Sequence, residues 1–99
     1  MQDILVLGAG KIGALISGLL GECGDYRVQL VDSVDGAADA AVSSHGLNTV
    51  KAFTFDAGDE ALLTAHVRKH KPSTVISGLP YFCNPQVARV ARAERLHYF

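Results

Sequence analysis

The chain has 99 residues, of which 48% are hydrophobic and 19% charged, and its net charge is −1. A chain of this length buries roughly 60% of its unfolded surface, so one domain with its own hydrophobic core is expected. The scattered lysines and arginines form no basic stripe, which excludes nucleic acid as a partner. No apolar run approaches the ~20 residues that cross a bilayer, and no signal peptide is recognisable, so we expect a cytoplasmic protein without a membrane partner.

Strand and helix patterns alternate along the chain. The first predicted strand, residues 3–7, is short, almost wholly apolar and followed by glycine, as is typical of a parallel strand covered on both faces. The first helix starts at Lys11 and ends near Gly24, with apolar residues at three- and four-residue spacing. The later predicted elements are a strand at 27–31, a helix at 36–44, a strand at 50–55, a helix at 60–70, a strand at 73–77, a helix with Pro85 in its first turn, and a short strand at 97–99. This order predicts a Rossmann-like α/β fold, a doubly wound parallel sheet with right-handed crossovers and helices on both faces.

A glycine-rich turn joins the first strand to the first helix. Residues 8–13 have the sequence GAGKIG, which matches the pattern GxGxxG. The pattern alone is a weak signal, because glycines mark many turns. Here it follows a strand, opens a helix and precedes Asp32, which ends the second strand nineteen residues after Gly13. Strand, turn, helix and acidic residue together predict a dinucleotide-binding site.

Each glycine of the turn has a separate expected role. Gly8 permits the tight turn, Gly10 lets the backbone approach a pyrophosphate, and Gly13 lets the helix pack closely on the strand. The helix start offers unpaired N–H groups to the phosphates. The other predicted cofactor-binding residues of this segment are Ala9, Lys11 and Ile12.

The carboxylate of Asp32 is expected to accept hydrogen bonds from the adenosine ribose, with Ser33 beside it. It would repel a 2′-phosphate, and neither Ser33 nor Val34 is basic, so the sequence favours NAD over NADP. The alternative interpretation makes the glycines a tight turn only and Asp32 a helix cap.

Two later loops are expected to complete the site. Asp56 follows the third strand and would accept from the adenine amino group, while Ala57 packs on the ring. The alternative makes Asp56 a turn residue, and Asp59 is predicted to cap the next helix. A second loop, at the carboxyl end of the fourth strand, is expected to border the nicotinamide ribose. It consists of Ser77, Gly78, Leu79 and Pro80.

Histidines and cysteines give weaker signals. His66 and His70 have the four-residue spacing of metal ligands, but no further ligand completes a site, and basic residues at a helix end explain them. We therefore expect no metal. Cys23 and Cys83 form no CxxC or staple pattern and are predicted to be reduced and structural. No base can be assigned beside Cys83, which favours a buried or half-buried thiol over a nucleophile.

Several segments together resemble the N-terminal nucleotide-binding domain of the saccharopine dehydrogenase and saccharopine reductase family: VLGAGKIG, LVD, VISGLPYFCNPQVA and the final HYF. The resemblance covers the whole chain, and the PYFCN segment is more specific to it than the glycines. It implies an oxidoreductase that moves a hydride between a nicotinamide cofactor and the C–N bond of an amino-acid-derived substrate. Some members bind NADP through a basic residue near the position of Asp32, where this chain has an acid.

The chain stops at the predicted fifth strand, whereas a complete dinucleotide fold has six. We therefore expect residues 1–99 to be the NAD(P)-binding domain of a longer enzyme of amino-acid metabolism, able to bind cofactor but not to turn over. The resemblance assigns the substrate-binding residues largely to a later domain, and the catalytic residues cannot be named. One alternative is a regulatory NAD-sensing module without catalysis, another is an inactive scaffold for association, and a homodimer is left open.

Overall fold

The computed structural model describes residues 2–8, 10–46, 49–78 and 84–99. The order of strands and helices is the predicted one, and the ends lie within two residues of the predicted ends. The elements are β1 (Gln2–Leu7), α1 (Lys11–Glu22), β2 (Tyr26–Asp32), α2 (Ala37–His45), β3 (Val50–Thr54), α3 (Glu60–His70), β4 (Thr74–Ser77), α4 (Asn84–Ala93) and β5 (His97–Tyr98).

The described strands form one five-stranded sheet in the order β3-β2-β1-β4-β5. Every neighbouring pair is parallel, and β1 lies at the centre, with β2 on one side and β4 on the other. The connections leave β1 and β4 in opposite directions across the sheet, so a crevice opens between their carboxyl ends. This is the predicted Rossmann-like α/β fold.

Both faces of the sheet are covered, which explains why β1 is apolar without alternation. Ile4 and Val6 point to one core cluster, which includes residues of α2. Ile16 of α1 packs against this cluster. Leu5 and Leu7 point to the other, formed with residues of α3 and α4. All four β1 side chains are at most 4% exposed, and burial of such a side chain contributes roughly 1.5–3 kcal/mol.

The helix ends follow the predicted signals. Asp59 caps α3, since its Oδ1 accepts hydrogen bonds from the N–H groups of Ala61 (3.0 Å) and Leu62 (3.2 Å). The residue that ends α2 is Gly46, in the left-handed conformation with φ of 66°. By contrast, no side chain in the described structure caps α1, whose N-cap residue is Gly10.

One expectation about the cysteines is wrong. Cys23 is a free thiol, as predicted, but it is exposed just after α1 and does not contribute to either core cluster. Ile16 and Leu20 of α1 pack against the core cluster of Ile4 and Val6, whereas Leu15 and Leu19 of the same helix, like Cys23, are exposed. Cys83 lies outside the described residues. Among the helices that are described, none is both long enough and apolar enough to cross a bilayer.

Candidate functional site

A cavity of about 280 Å³ opens at the carboxyl edge of the sheet, at the ends of β1, β2, β3 and β4. Seven predicted site residues line it: Gly8, Gly10, Asp32, Ser33, Asp56, Ala57 and Gly78. Three residues that were not predicted complete the described lining: Val31, Phe55 and Gly58. The topology therefore brings together residues from four segments that are far apart in the sequence.

The glycine turn has the geometry that its sequence predicts. Gly8 has φ of +96°, a conformation that side chains with a Cβ rarely adopt. A Cβ on Gly13 would lie 1.7 Å from the carbonyl oxygen of Gly8, so only glycine lets α1 pack this closely on the turn. Around Gly10, by contrast, no described atom lies within 4 Å of a Cβ position. The turn is filled on its inner side and open on the side that faces the cavity.

The first turn of α1 contributes its backbone to this open side. Because Gly10 provides no side-chain cap, the first N–H groups of the helix have no such acceptor in the described structure. Unpaired N–H groups and the helix dipole together favour an anion at this position. Lys11 and Ile12 belong to this first turn, and Ala9 lies outside the described residues.

Asp32 ends β2 with its carboxylate at the cavity. Its Oδ1 accepts a hydrogen bond of 2.8 Å from the N–H of Val34, which fixes the orientation of the side chain. The N-cap of α2 is Gly36 rather than Asp32, so the alternative role of Asp32 as a helix cap is wrong.

The loop after β3 is a tight turn built by Asp56. Its Oδ1 accepts from the N–H of Gly58 (2.8 Å) and its carbonyl accepts from the N–H of Asp59 (3.0 Å). The alternative role of Asp56 as a turn residue is therefore confirmed, and Asp56 also lines the cavity. Ala57 is only 4% exposed, because its methyl group packs in the core cluster shared with α3 and α4.

The loop after β4 approaches the glycine turn from the other side. The N–H of Gly78 donates to the carbonyl of Leu7 (2.7 Å), and a Cβ on Gly8 would lie 3.3 Å from the backbone of Gly78. Ser77 pairs with Leu7 in the sheet and is not among the residues that line the cavity. Leu79 and Pro80 lie outside the described residues.

Phe55 is the aromatic wall of the cavity that sequence reasoning missed. Its ring centroid lies 5.2 Å from that of His66, so the wall rests on α3. The available signal was position alone, since Phe55 directly follows β3 at the carboxyl edge.

His66 is a buried neutral residue rather than a basic residue of the helix end. It is 7% exposed, and its Nε2 lies 2.7 Å from Oε1 of Gln29. Because an amide oxygen only accepts, Nε2 carries the proton. Burial, and then the charges of His70 and Lys69, lower the pKa of His66 to about 4. Within the described residues, no group of three or more histidine, cysteine, aspartate or glutamate side chains is placed to hold a metal ion.

Comparison with solved structures shows the same fold in several enzymes. Saccharopine dehydrogenase (L-Glu forming) from Saccharomyces cerevisiae matches with a TM-score of 0.86 and 23% identity, over 99% of this chain and 21% of that one. UDP-glucose 4-epimerase from Bifidobacterium longum, in complex with NAD+ and UDP, matches with a TM-score of 0.78 and 19% identity, over 96% of this chain and 35% of that one. The enzyme WbmH from Bordetella bronchiseptica, in complex with NAD+, matches with a TM-score of 0.78 and 18% identity, over 97% of this chain and 36% of that one. This chain thus spans about a fifth to a third of the length of these proteins.

No curated protein sequence matches the chain. The family model described as the saccharopine dehydrogenase NADP-binding domain matches residues 4–99, which is nearly the whole chain. Together with the fold, this match shows that the chain belongs to the family of saccharopine dehydrogenase NADP-binding domains.

Proposed function

We propose that the chain is the nicotinamide-dinucleotide-binding domain of a saccharopine dehydrogenase-like oxidoreductase and that it prefers NAD. The observation that carries this proposal is the cavity at the carboxyl edge, which places an open glycine turn and a fixed carboxylate on the two sides of one groove. Ligands of open α/β sheets bind in this crevice.

The described residues fit the parts of a dinucleotide in order. The open backbone at Gly10 and the start of α1 would take the pyrophosphate, since a side chain at Gly10 would occupy the space that the phosphates need. Asp32 and Ser33 would hold the adenosine ribose. Phe55 and Asp56 would border the adenine, with the ring against the aromatic wall.

The nicotinamide end would lie on the side of Gly78, together with Ser77, Leu79 and Pro80. The bound cofactor would supply a hydride acceptor or donor at this side of the groove. The chain itself supplies binding and orientation, while the residues that hold an amino-acid-derived substrate at its C–N bond would belong to a later part of the whole protein. We accordingly propose residues 1–99 as one cofactor domain that binds without turnover when isolated.

The preference for NAD is supported by the charges around the groove. Asp32 and Asp56 are the charged side chains among the described residues that line it, and no lysine or arginine is found there. Among the described lining residues, a 2′-phosphate beside Asp32 would face a carboxylate and no cation that offsets the repulsion. The family description names NADP, so the preference of this chain needs a direct measurement.

Isothermal titration calorimetry with NADH and NADPH tests the proposal. We expect NADH to bind at least about tenfold more tightly, which corresponds to about 1.4 kcal/mol. Asp32→Asn retains an Oδ1 acceptor for the N–H of Val34 and removes the charge. It should therefore weaken NADH binding and reduce the difference in affinity between NADH and NADPH.

The matched control is Asp35→Asn, because Asp35 is exposed in the same connection and is not a residue of the cavity lining. It should leave both affinities unchanged. Equal or tighter binding of NADPH to the unmodified chain would contradict the NAD preference, and no binding of either dinucleotide would contradict the proposed function.

A further inference from the structure

A second cavity of about 470 Å³ lies at the opposite, amino edge of the sheet. We propose that it binds a small aromatic anion, such as an aryl phosphate. It lies between the first residues of β1 and β2, most of the length of the edge strand β3, and the last turn of α3. Its described lining residues are Asp3, Arg27, Val28, Gln29, Thr49, Lys51, Phe53, Lys69 and His70.

The two cavities are separate. Asp3 pairs with Arg27 at the start of the central strands, whereas Leu7 pairs with Val31 at their end. Four strand residues span ~13 Å at the usual rise, so the amino ends of β1 and β2 lie far from the carboxyl-edge cavity. Only Phe53, which pairs with Val31, reaches the level of that cavity among the described lining residues. The two cavities share no described lining residue.

The lining of the amino-edge cavity carries more positive than negative charge. Three cationic side chains face one carboxylate, and that carboxylate, Asp3, is already paired with Arg27 at 2.8 Å. Lys51 and Lys69 form no salt bridge within the part of the chain that the structure describes. Their two ammonium groups can therefore both be directed at one anion.

Two uncharged polar side chains of the lining, Gln29 and Thr49, are already engaged. Gln29 accepts from His66 (2.7 Å) and donates to the carbonyl of His70 (3.4 Å), and the hydroxyl of Thr49 donates to the carbonyl of Gly21 (3.0 Å). They form a fixed wall, which leaves the two lysines and the ring of His70 as the described polar groups available to a ligand. After burial, the largest cause, the charges of His70 and Lys69 also lower the pKa of the nearby His66.

Aromatic rings form the apolar part of the lining. The Phe53 and His70 rings have centroids 4.8 Å apart, tilted by 60°. Such a pair offers a ring face and a ring edge to a planar ligand. The volume lies within the roughly 300–1,000 Å³ of small-molecule sites. An aromatic anion can therefore place its ring against Phe53 and its anionic group at Lys51 and Lys69.

Titration of the ¹⁵N-labelled chain with phenyl phosphate tests the proposal by amide chemical shifts. We expect saturable shifts at Lys51, Phe53 and His70, with no comparable shifts at the glycine turn. Inorganic phosphate, which lacks the ring, and benzyl alcohol, which lacks the charge, should each bind at least tenfold more weakly.

The double variant Lys51→Gln/Lys69→Gln should lose at least tenfold in affinity for phenyl phosphate. Both lysines are exposed, so the variant should retain the amide spectrum of the folded chain. Arg92→Gln is the matched control, since this exposed cation lies on α4 outside the cavity, and it should bind like the unmodified chain. Equal affinity for phenyl phosphate and inorganic phosphate, shifts at the glycine turn alone, or an unchanged affinity in the double variant would each overturn the proposal.

Discussion

Acidification should destabilise the chain through His66, by an amount that the structure allows us to calculate. The pKa of His66 is about 4 in the folded chain, against 6.5 for an ordinary histidine. Between these values the unfolded chain binds a proton that the folded chain does not bind, so the free energy of unfolding falls as the pH falls. The slope is about 1.4 kcal/mol for each pH unit, which gives a loss of about 3 kcal/mol between pH 6.5 and pH 4.

Urea unfolding followed by circular dichroism between pH 7.5 and pH 4 would measure this loss. Other groups also titrate over this range, so the comparison is made with His66→Gln, which cannot be protonated and retains a polar partner for Gln29. The loss on acidification should be about 3 kcal/mol smaller in this variant. His97→Gln, at an exposed position of β5, should behave like the unmodified chain. If His66→Gln and the unmodified chain lose the same stability on acidification, the buried histidine is not the cause.

Three substitutions test the local structure of the turns. Gly13→Ala places a Cβ against the carbonyl of Gly8 and should lower the free energy of unfolding by roughly 1–3 kcal/mol. An unchanged midpoint of thermal unfolding would show that the turn rearranges without loss of stability. The added Cβ of Gly10→Ala meets no described atom within 4 Å, so this substitution should leave the midpoint of thermal unfolding unchanged. It should weaken NADH binding in calorimetry, and unchanged affinity would argue against a pyrophosphate at Gly10. Asp59→Ala removes the cap of α3 and should cost about 1 kcal/mol, whereas Asp59→Asn in the same unfolding assay should cost less than half as much.

The fold could be predicted because each element carries its own local signal. The unbroken apolar run of β1 indicates burial on both faces, and the two core clusters confirm that interpretation. Asp59 and Gly46 mark helix ends through chemistry that acts within a few residues. Such signals depend on neighbours in the sequence and do not require knowledge of the strand order.

The site was predictable where it depends on strand ends and unpredictable where it depends on packing. Gly8, Asp32 and Asp56 follow apolar strands, so their place at the carboxyl edge follows from the parallel sheet. Phe55 and Ala57 are neighbours of these residues and both line the cavity, yet the ring of Phe55 rests on His66 whereas Ala57 is buried in the core. Which side chain faces which way depends on how the turn built by Asp56 meets α3 and α4.

The amino-edge cavity and the buried pair of Gln29 and His66 lay beyond sequence reasoning for a related reason. Their members come from segments up to 67 positions apart, and strand register alone brings Lys51 beside Gln29. The spacing of His66 and His70 suggested either metal ligands or surface bases, because a sequence does not show that an amide on β2 lies opposite one of them.

The contact between Gly8 and Gly78 joins positions separated by seventy residues in the sequence. The groove at the carboxyl edge therefore does not exist in a partly folded chain that has formed β1, α1 and β2 alone, although such a chain already contains every glycine of the motif. Pairings of this sequence separation are slow to form during folding. A ligand of this groove should thus bind late on the folding pathway and stabilise the completed sheet by mass action, slowing unfolding more than it accelerates folding.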